Sequence, residues 1–165
     1  MVKKSDPNRQ PIHLSELVDE ARAFADIEAQ RTGTQISVNL PENLPKIVVD
    51  RIMIEQVLLN LVKNGIESML DIPFDRRKLN IAAAQLDERM LEVSVTDHGH
   101  GLADEDIERI FAPFFTTKPE GMGIGLAICR SIIEFHQGRL WVEPRREGGT
   151  TFRFTVPIEE NNHDE

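Results

Sequence analysis

Residues 121–138 read GMGIGLAICRSIIEFHQG, and the spacing of the glycines at the head of this stretch decides between fold classes. Gly121, Gly123 and Gly125 alternate before an apolar run, which predicts a helix from Gly123 to about His136, closed by Gly138 in the C-terminal glycine position. Free N–H groups and the positive end of the helix dipole then face a place where an anion can sit. Three alternating glycines are more than a cap requires. They are not a dinucleotide fingerprint, because G-x-G-x-x-G has to follow a buried strand, whereas the residues ahead are the Pro/Thr-rich FAPFFTTKPE (111–120). No G-x-x-x-x-G-K-S/T occurs either, so the P-loop class is excluded.

Working outward, RLWVEP (139–144) and TTFRFTVP (150–157) read as a closing hairpin around Gly148-Gly149. Upstream, LNIAAAQL (79–86) and MLEVSVT (90–96) flank Asp87-Glu88-Arg89 as a second hairpin, and Asp104 to Ile110 reads as a short helix. Asp50 caps a long helix running to about Leu70, with Pro73 beyond its end. QISVNL (35–40) and KIVV (46–49) are short strands. Ser15, Glu16 and Asp19 open a first helix that lays Leu14, Leu17, Val18, Ala21, Phe24 and Ala25 on one face and ends near Gly33. The expected fold is α/β, a two-layer α/β sandwich in which a mixed sheet of about five strands is covered on one face by about three helices. Residues 1–11 read as linker, 12–158 as one domain, and 159–165 (EENNHDE) as an acidic disordered tail.

The 165 residues suffice for a core without disulfide or metal staples. Lys and Arg number 19 against 28 Asp and Glu, a net charge of −9, which argues against binding a nucleic-acid backbone. A small polyanion remains possible, since local N–H groups hold phosphates without net positive charge. Cys129 is the only cysteine, so no internal disulfide or thiolate cage forms, which fits a reducing, cytoplasmic setting. Apolar runs are too short to span a bilayer and the N-terminus has no apolar leader core, so no direct membrane contact is expected, although a parent protein can be membrane-anchored.

Two further constellations carry chemistry. Asn60 and Asn64 lie at i, i+4 in EQVLLNLVKNGIESM (55–69), with Gln56 one turn earlier, so that both carboxamides leave one helix face. Such a pair is weak evidence alone, because it fits the solvated face of any amphipathic helix. Asn is a modest helix former, however, and here it sits among Leu58, Leu59, Leu61 and Val62. At the end of a strand comes DHGHG (97–101), which is either a tight turn or a place where backbone approaches a ligand. A carboxylate there only accepts hydrogen bonds, so it can take the exocyclic amino group of adenine and repels the keto oxygen of guanine.

Taken in order, EQVLLNLVKNGIESM, DHGHG, FAPFFTTK, GMGIGLAICRSIIEFHQGRLWVEP and GGTTFRFTVP resemble the N box, first glycine box, F box, second glycine box and closing strand of sensor histidine kinase catalytic domains. That superfamily also contains type II topoisomerase, Hsp90 and mismatch-repair ATPases, and has the Bergerat (GHKL) fold with an ATP lid. The short lid between Lys118 and Gly121 is most similar to kinases of the oxygen-sensor type. The resemblance implies ATP and Mg²⁺ as cofactors, with Asn64 as the metal ligand and Asn60 assisting at the phosphates. It implies that Asp97 reads adenine, Gly99 and Gly101 shape the pocket floor, and Thr150 lines the adenine side. Gly121, Gly123 and Gly125 would form the lid hinge and phosphate cradle, with Thr116, Thr117, Lys118 and Leu126 also in the ATP site. Phe111, Phe114 and Phe115 would divide between core and partner docking.

The clamp ATPases, by the same resemblance, carry a Glu where this chain has Asn60, and an amide cannot act as that base. The implied activity is donation of the γ-phosphate to a His on a separate phosphoacceptor helical domain, which mediates dimerisation in the family, so that the domain alone is monomeric. A response regulator would be the indirect partner. None of His13, His98, His100, His136 and His163 matches the phosphoacceptor motif. A non-catalytic nucleotide-binding module and, less in keeping with Asn60, a clamp ATPase remain as alternatives. Three residues depart from the family pattern: His98 and His100 within the first glycine box, and Gly65 where Ala is usual. Gly costs up to about 1 kcal/mol inside a helix; it either loosens the N box or gives nucleotide room. Contact of either His with nucleotide would make affinity depend on pH near neutrality.

Overall fold

Strict alternation of apolar and polar residues over 91–96 puts Leu91, Val93 and Val95 on one side of a strand and Glu92, Ser94 and Thr96 on the other. The first set is buried and the second partly open, and this asymmetry sets the two layers of the molecule. The computed structural model describes residues 8–112 and 125–160. Among them the strands are β1 (Arg9–Ile12), β2 (Gln35–Asn39), β3 (Ile47–Asp50), β4 (Lys78–Gln85), β5 (Met90–Thr96), β6 (Leu140–Pro144) and β7 (Thr150–Pro157). The helices are α1 (Leu14–Thr32), α2 (Arg51–Ser68) and α3 (Gly125–Phe135). The main sheet has the order β2-β4-β5-β7-β6, parallel at β2–β4 and antiparallel elsewhere, the mixed α/β sandwich expected.

The three helices pack on the apolar face of the sheet, α2 in the middle against α1, α3, β4 and β5. Its buried stripe of Ile54, Val57, Leu58, Leu61, Val62 and Ile66 meets Leu79, Ile81, Val93 and Phe154 in one core. On the opposite, polar face Arg153 bonds Glu143 at 2.8 Å and Glu92 at 3.0 Å, and the Thr96 and Thr151 hydroxyls pair at 3.0 Å. Asp50 caps α2 as expected, its side chain accepting the Met53 N–H at 3.1 Å. No helix among the described residues is long and apolar enough to cross a membrane.

Several local expectations change. The 46–49 strand does not join the main sheet: as β3 it pairs antiparallel with β1, which overlaps the end of the segment read as linker. The expected short helix over 104–110 is two 3-10 turns, Asp104–Asp106 and Arg109–Phe111. Phe24, expected on the buried face, is 66% exposed, at the edge of the stripe that buries Leu14, Leu17, Val18, Ala21, Ala25 and Ala29. At the end of α3 the left-handed residue is Gln137 (φ 62°), while the Gly138 N–H reaches back to the Ile133 carbonyl at 2.9 Å. Gly138 is needed for another reason: a Cβ there would stand 1.9 Å from the Thr155 carbonyl oxygen.

Candidate functional site

The end of β5 delivers Asp97 to the boundary between the sheet and α2. Its N–H donates to the Thr150 carbonyl at 2.9 Å, which carries the β5–β7 ladder one residue further. Its carboxylate is only 2% exposed. Oδ1 accepts the Gly99 N–H at 2.9 Å and Oδ2 accepts the Thr150 hydroxyl at 2.9 Å. A carboxylate has about four lone-pair sites, so two neutral donors orient it and leave acceptor capacity for a ligand donor. Burial keeps these two hydrogen bonds in a low-dielectric setting, where each is stronger than in water.

Close backbone approaches build the walls. A Cβ on Gly99 would lie 2.3 Å from the Ser68 carbonyl oxygen at the end of α2, and Gly101 has φ +82°. Gly149, at φ +93°, would put a Cβ 2.1 Å from the Asp97 carbonyl oxygen. Gly149 thus packs against Asp97 as closely as Gly99 packs against Ser68, a contact that reading 148–149 as a hairpin turn hides. Gly65 faces the site from α2: the position of its missing Cβ is 2.5 Å from Leu79 Cδ1 and 3.5 Å from Asp97 Cβ. Leu79, not open space for a ligand, takes the room that Gly65 leaves.

One turn apart on α2, Asn60 and Asn64 are both half-buried. Asn60 donates through Nδ2 to Cys129 Sγ at 3.6 Å, and a Cβ on Gly125 would lie 3.9 Å from the same nitrogen, so α3 covers this amide. Amide oxygens suit Mg²⁺, which takes few protein ligands and completes its shell with water and phosphate. The described residues contain no cluster of three or more His, Cys, Asp or Glu able to cage a metal.

His98 is exposed and its Nδ1 pairs with the Lys78 carbonyl at 2.9 Å, while His100 Nε2 lies 3.8 Å from Asp71 Oδ2 with both side chains exposed. These contacts, on the rim at the start of β4 and beyond α2, are loop contacts. Phe111 is core, edge-on to Phe152 with centroids 6.3 Å apart and with the Arg130 guanidinium 4.9 Å above its ring. Leu126 is half-buried and packs against the core. Thr116, Thr117, Lys118, Gly121 and Gly123, with Phe114 and Phe115, lie outside the described residues.

A family model described as histidine kinase-, DNA gyrase B-, and HSP90-like ATPase matches residues 49–160. Sensor protein FixL of Bradyrhizobium diazoefficiens is 40% identical over 98% of this chain and 32% of its own length. Sensor protein TdiS of Thauera aromatica is 40% identical over 95% of this chain and 29% of its own. The chain thus spans about a third of the length of these relatives. The catalytic domain of histidine kinase ThkA superposes with a TM-score of 0.79 at 32% identity, covering 91% of this chain and 95% of that domain. A structure of ThkA in complex with response regulator protein TrrA gives 0.77 at 32% identity, over 92% of this chain and 42% of that one. A family model over residues 49–160 and a catalytic domain covered almost end to end at 32% identity show that the chain belongs to the family of histidine kinase-, DNA gyrase B- and HSP90-like ATPases, and within it to the catalytic domains of sensor histidine kinases.

Proposed function

We propose that this domain binds Mg·ATP in the cytoplasm and holds the γ-phosphate for transfer to a histidine on a separate phosphoacceptor helical domain, with a response regulator receiver domain as the later acceptor. The observation that carries the reading is the Asp97 carboxylate, buried and steered by the Gly99 N–H and the Thr150 hydroxyl. It accepts the exocyclic amino group of adenine; guanine would set a keto oxygen against it. Asn60 and Asn64 would hold Mg²⁺ and phosphates, Asn64 as the metal ligand, and Mg²⁺ when bound supplies charge neutralisation on the phosphates. Asn60 supports transfer over hydrolysis, because an amide takes no proton from water. Phosphoryl transfer is mostly positioning and electrostatics, so a domain can be catalytic with a nucleophile borrowed from elsewhere.

Calorimetric titration of ADP, ATP and GTP with Mg²⁺, on the wild type and on Asp97→Ala, tests this. Adenine nucleotides should bind, GTP should not, and the substitution should abolish binding. Equal binding of GTP, or binding that survives Asp97→Ala, would overturn the adenine assignment. Steady ATP turnover by the isolated chain, lost in Asn64→Ala, would return the clamp-ATPase reading. Phosphate appearing on an added phosphoacceptor hairpin is the expected result of the second step, and its absence with ATP bound would favour a non-catalytic module.

A further inference from the structure

The buried thiol of Cys129 has no part in the reading above, yet it touches the site. Cys129 stands on α3 one turn beyond Gly125, fully buried, and its sulfur accepts the Asn60 Nδ2 hydrogen at 3.6 Å. A carboxamide is planar, with an acceptor oxygen on one arm and an N–H₂ donor on the other. Holding the nitrogen against the sulfur turns the oxygen away from α3. In the reversed orientation Asn60 would offer N–H hydrogens, which can donate to a phosphate but cannot accept from water held by a cation on Asn64. A thiol is a weak donor and a weak acceptor, and here it takes the acceptor role, receiving the Asn60 Nδ2 hydrogen. Burial pushes the Cys129 thiol up to about 11, against a smaller downward pull from the Asn60 hydrogen bond, so the group stays protonated and inert as a nucleophile.

We infer that Cys129 is a positioning residue, its sulfur holding the Asn60 carboxamide with the oxygen free to accept from water in the shell of the Mg²⁺ that Asn64 would ligate. The inference rests on the Mg·ATP reading of the site and adds a residue of α3 to it. It also makes the Asn60 oxygen a reporter of where α3 sits, since that helix supplies both the sulfur and the backbone at Gly125 that covers the amide.

The test uses the 165-residue chain with Cys129→Ala, Cys129→Val and Cys129→Ser. ATP affinity is measured by calorimetry with Mg²⁺ and with EDTA, alongside the ¹H–¹⁵N signals of the Asn60 side-chain amide and urea midpoints. Ala and Val remove the acceptor; Val also fills the volume, which covers the case in which a void disturbs α2–α3 packing. Both should weaken Mg·ATP binding about threefold to tenfold, the range expected for one lost hydrogen bond. Affinity in EDTA should stay near the wild-type value and the Asn60 amide signals should shift. Ser keeps an acceptor and should retain most of the Mg²⁺ effect. Wild-type Mg·ATP affinity in both apolar variants overturns the inference and leaves the site reading standing, as does an equal loss with and without Mg²⁺. A wild-type chain that binds no nucleotide overturns the site reading and the inference with it.

Discussion

Gly149 is the residue whose replacement has the clearest consequence, because two independent constraints meet there. Its φ of +93° is a region L side chains rarely adopt, and a Cβ would stand 2.1 Å from the Asp97 carbonyl oxygen. Left-handed strain alone costs about 1–3 kcal/mol, and relief of the contact would push β7 away from Asp97. Gly149→Ala should therefore lower stability by at least about 2 kcal/mol and weaken ADP binding through loss of the Thr150 bond to Asp97. The adjacent Gly148 has φ +107° but only a 3.5 Å approach to the Gly99 carbonyl, so Gly148→Ala should cost strain without displacing Asp97. Urea unfolding and ADP titration of both variants check this; equal effects on affinity would show that Gly149 has no special tie to the site. Thr150 gives the matching polar test. Thr150→Val keeps the shape but removes the 2.9 Å bond to Asp97 Oδ2, and should weaken ADP binding about threefold to thirtyfold while leaving the fold intact.

Helix α2 carries the next consequence, since Gly65 and Leu79 share one space. Alanine at 65 would be the better helix former by about 1 kcal/mol, but its Cβ would lie 2.5 Å from Leu79 Cδ1. Overpacking typically costs about 1–3 kcal/mol, so Gly65→Ala should be net neutral to destabilising. Leu79→Val removes the atom in conflict. In the double variant the cost should fall below the sum of the singles by about 1 kcal/mol, a coupling that a double-mutant cycle of urea midpoints measures; strict additivity would show that the two side chains do not compete.

This scale also shows what sequence periodicity conveys. Period-2 runs gave β4, β5 and β7 and the period-3.6 run of α2 gave its buried stripe, because both patterns are imposed by a single apolar face. Asp97, Gly99 and Gly101 were legible as a candidate site, and the close approach at Gly99 and the positive φ at Gly101 are the backbone freedom that their residue type marks. The partner of β3 was not legible, since a short apolar strand fits either sheet. Neither was the role of Gly65, Gly138 or Gly149, whose reason is the approach of a distant segment. Cys129 reads as an ordinary core residue until α2 and α3 are docked.

At the scale of the whole molecule, the far end of α3 is tied to the start of α2 by one buried imidazole and to the N-terminal strand by Arg9. His136 is fully buried; its Nδ1 donates to the Ile132 carbonyl at 2.8 Å and its Nε2 accepts the Asp50 N–H at 3.1 Å, at the residue that caps α2. The Arg9 guanidinium of β1 adds a bond to the Phe135 carbonyl and stacks 5.0 Å above the Phe135 ring. Burial is the main cause that holds the His136 pKa below its ordinary value; the Ile132 bond opposes it, the Arg9 charge lowers it further and Asp50 raises it. Protonating Nε2 would also remove the only lone pair that can receive the Asp50 N–H. The sign follows from linkage. With the folded pKa below the unfolded value of about 6.5, the unfolded chain takes up the proton first, so the contribution of His136 to stability is complete above that value and is lost as pH falls through the folded pKa. The urea midpoint should therefore decline between about pH 7.5 and pH 5.5, a window above most carboxylate titrations. His136→Gln offers an oxygen to the Asp50 N–H and an N–H₂ to the Ile132 carbonyl without titrating. It should be less stable than the wild type at pH 8 but show a smaller decline toward pH 5.5. Parallel declines in the two proteins would place the pH dependence elsewhere and leave His136 a packing residue only.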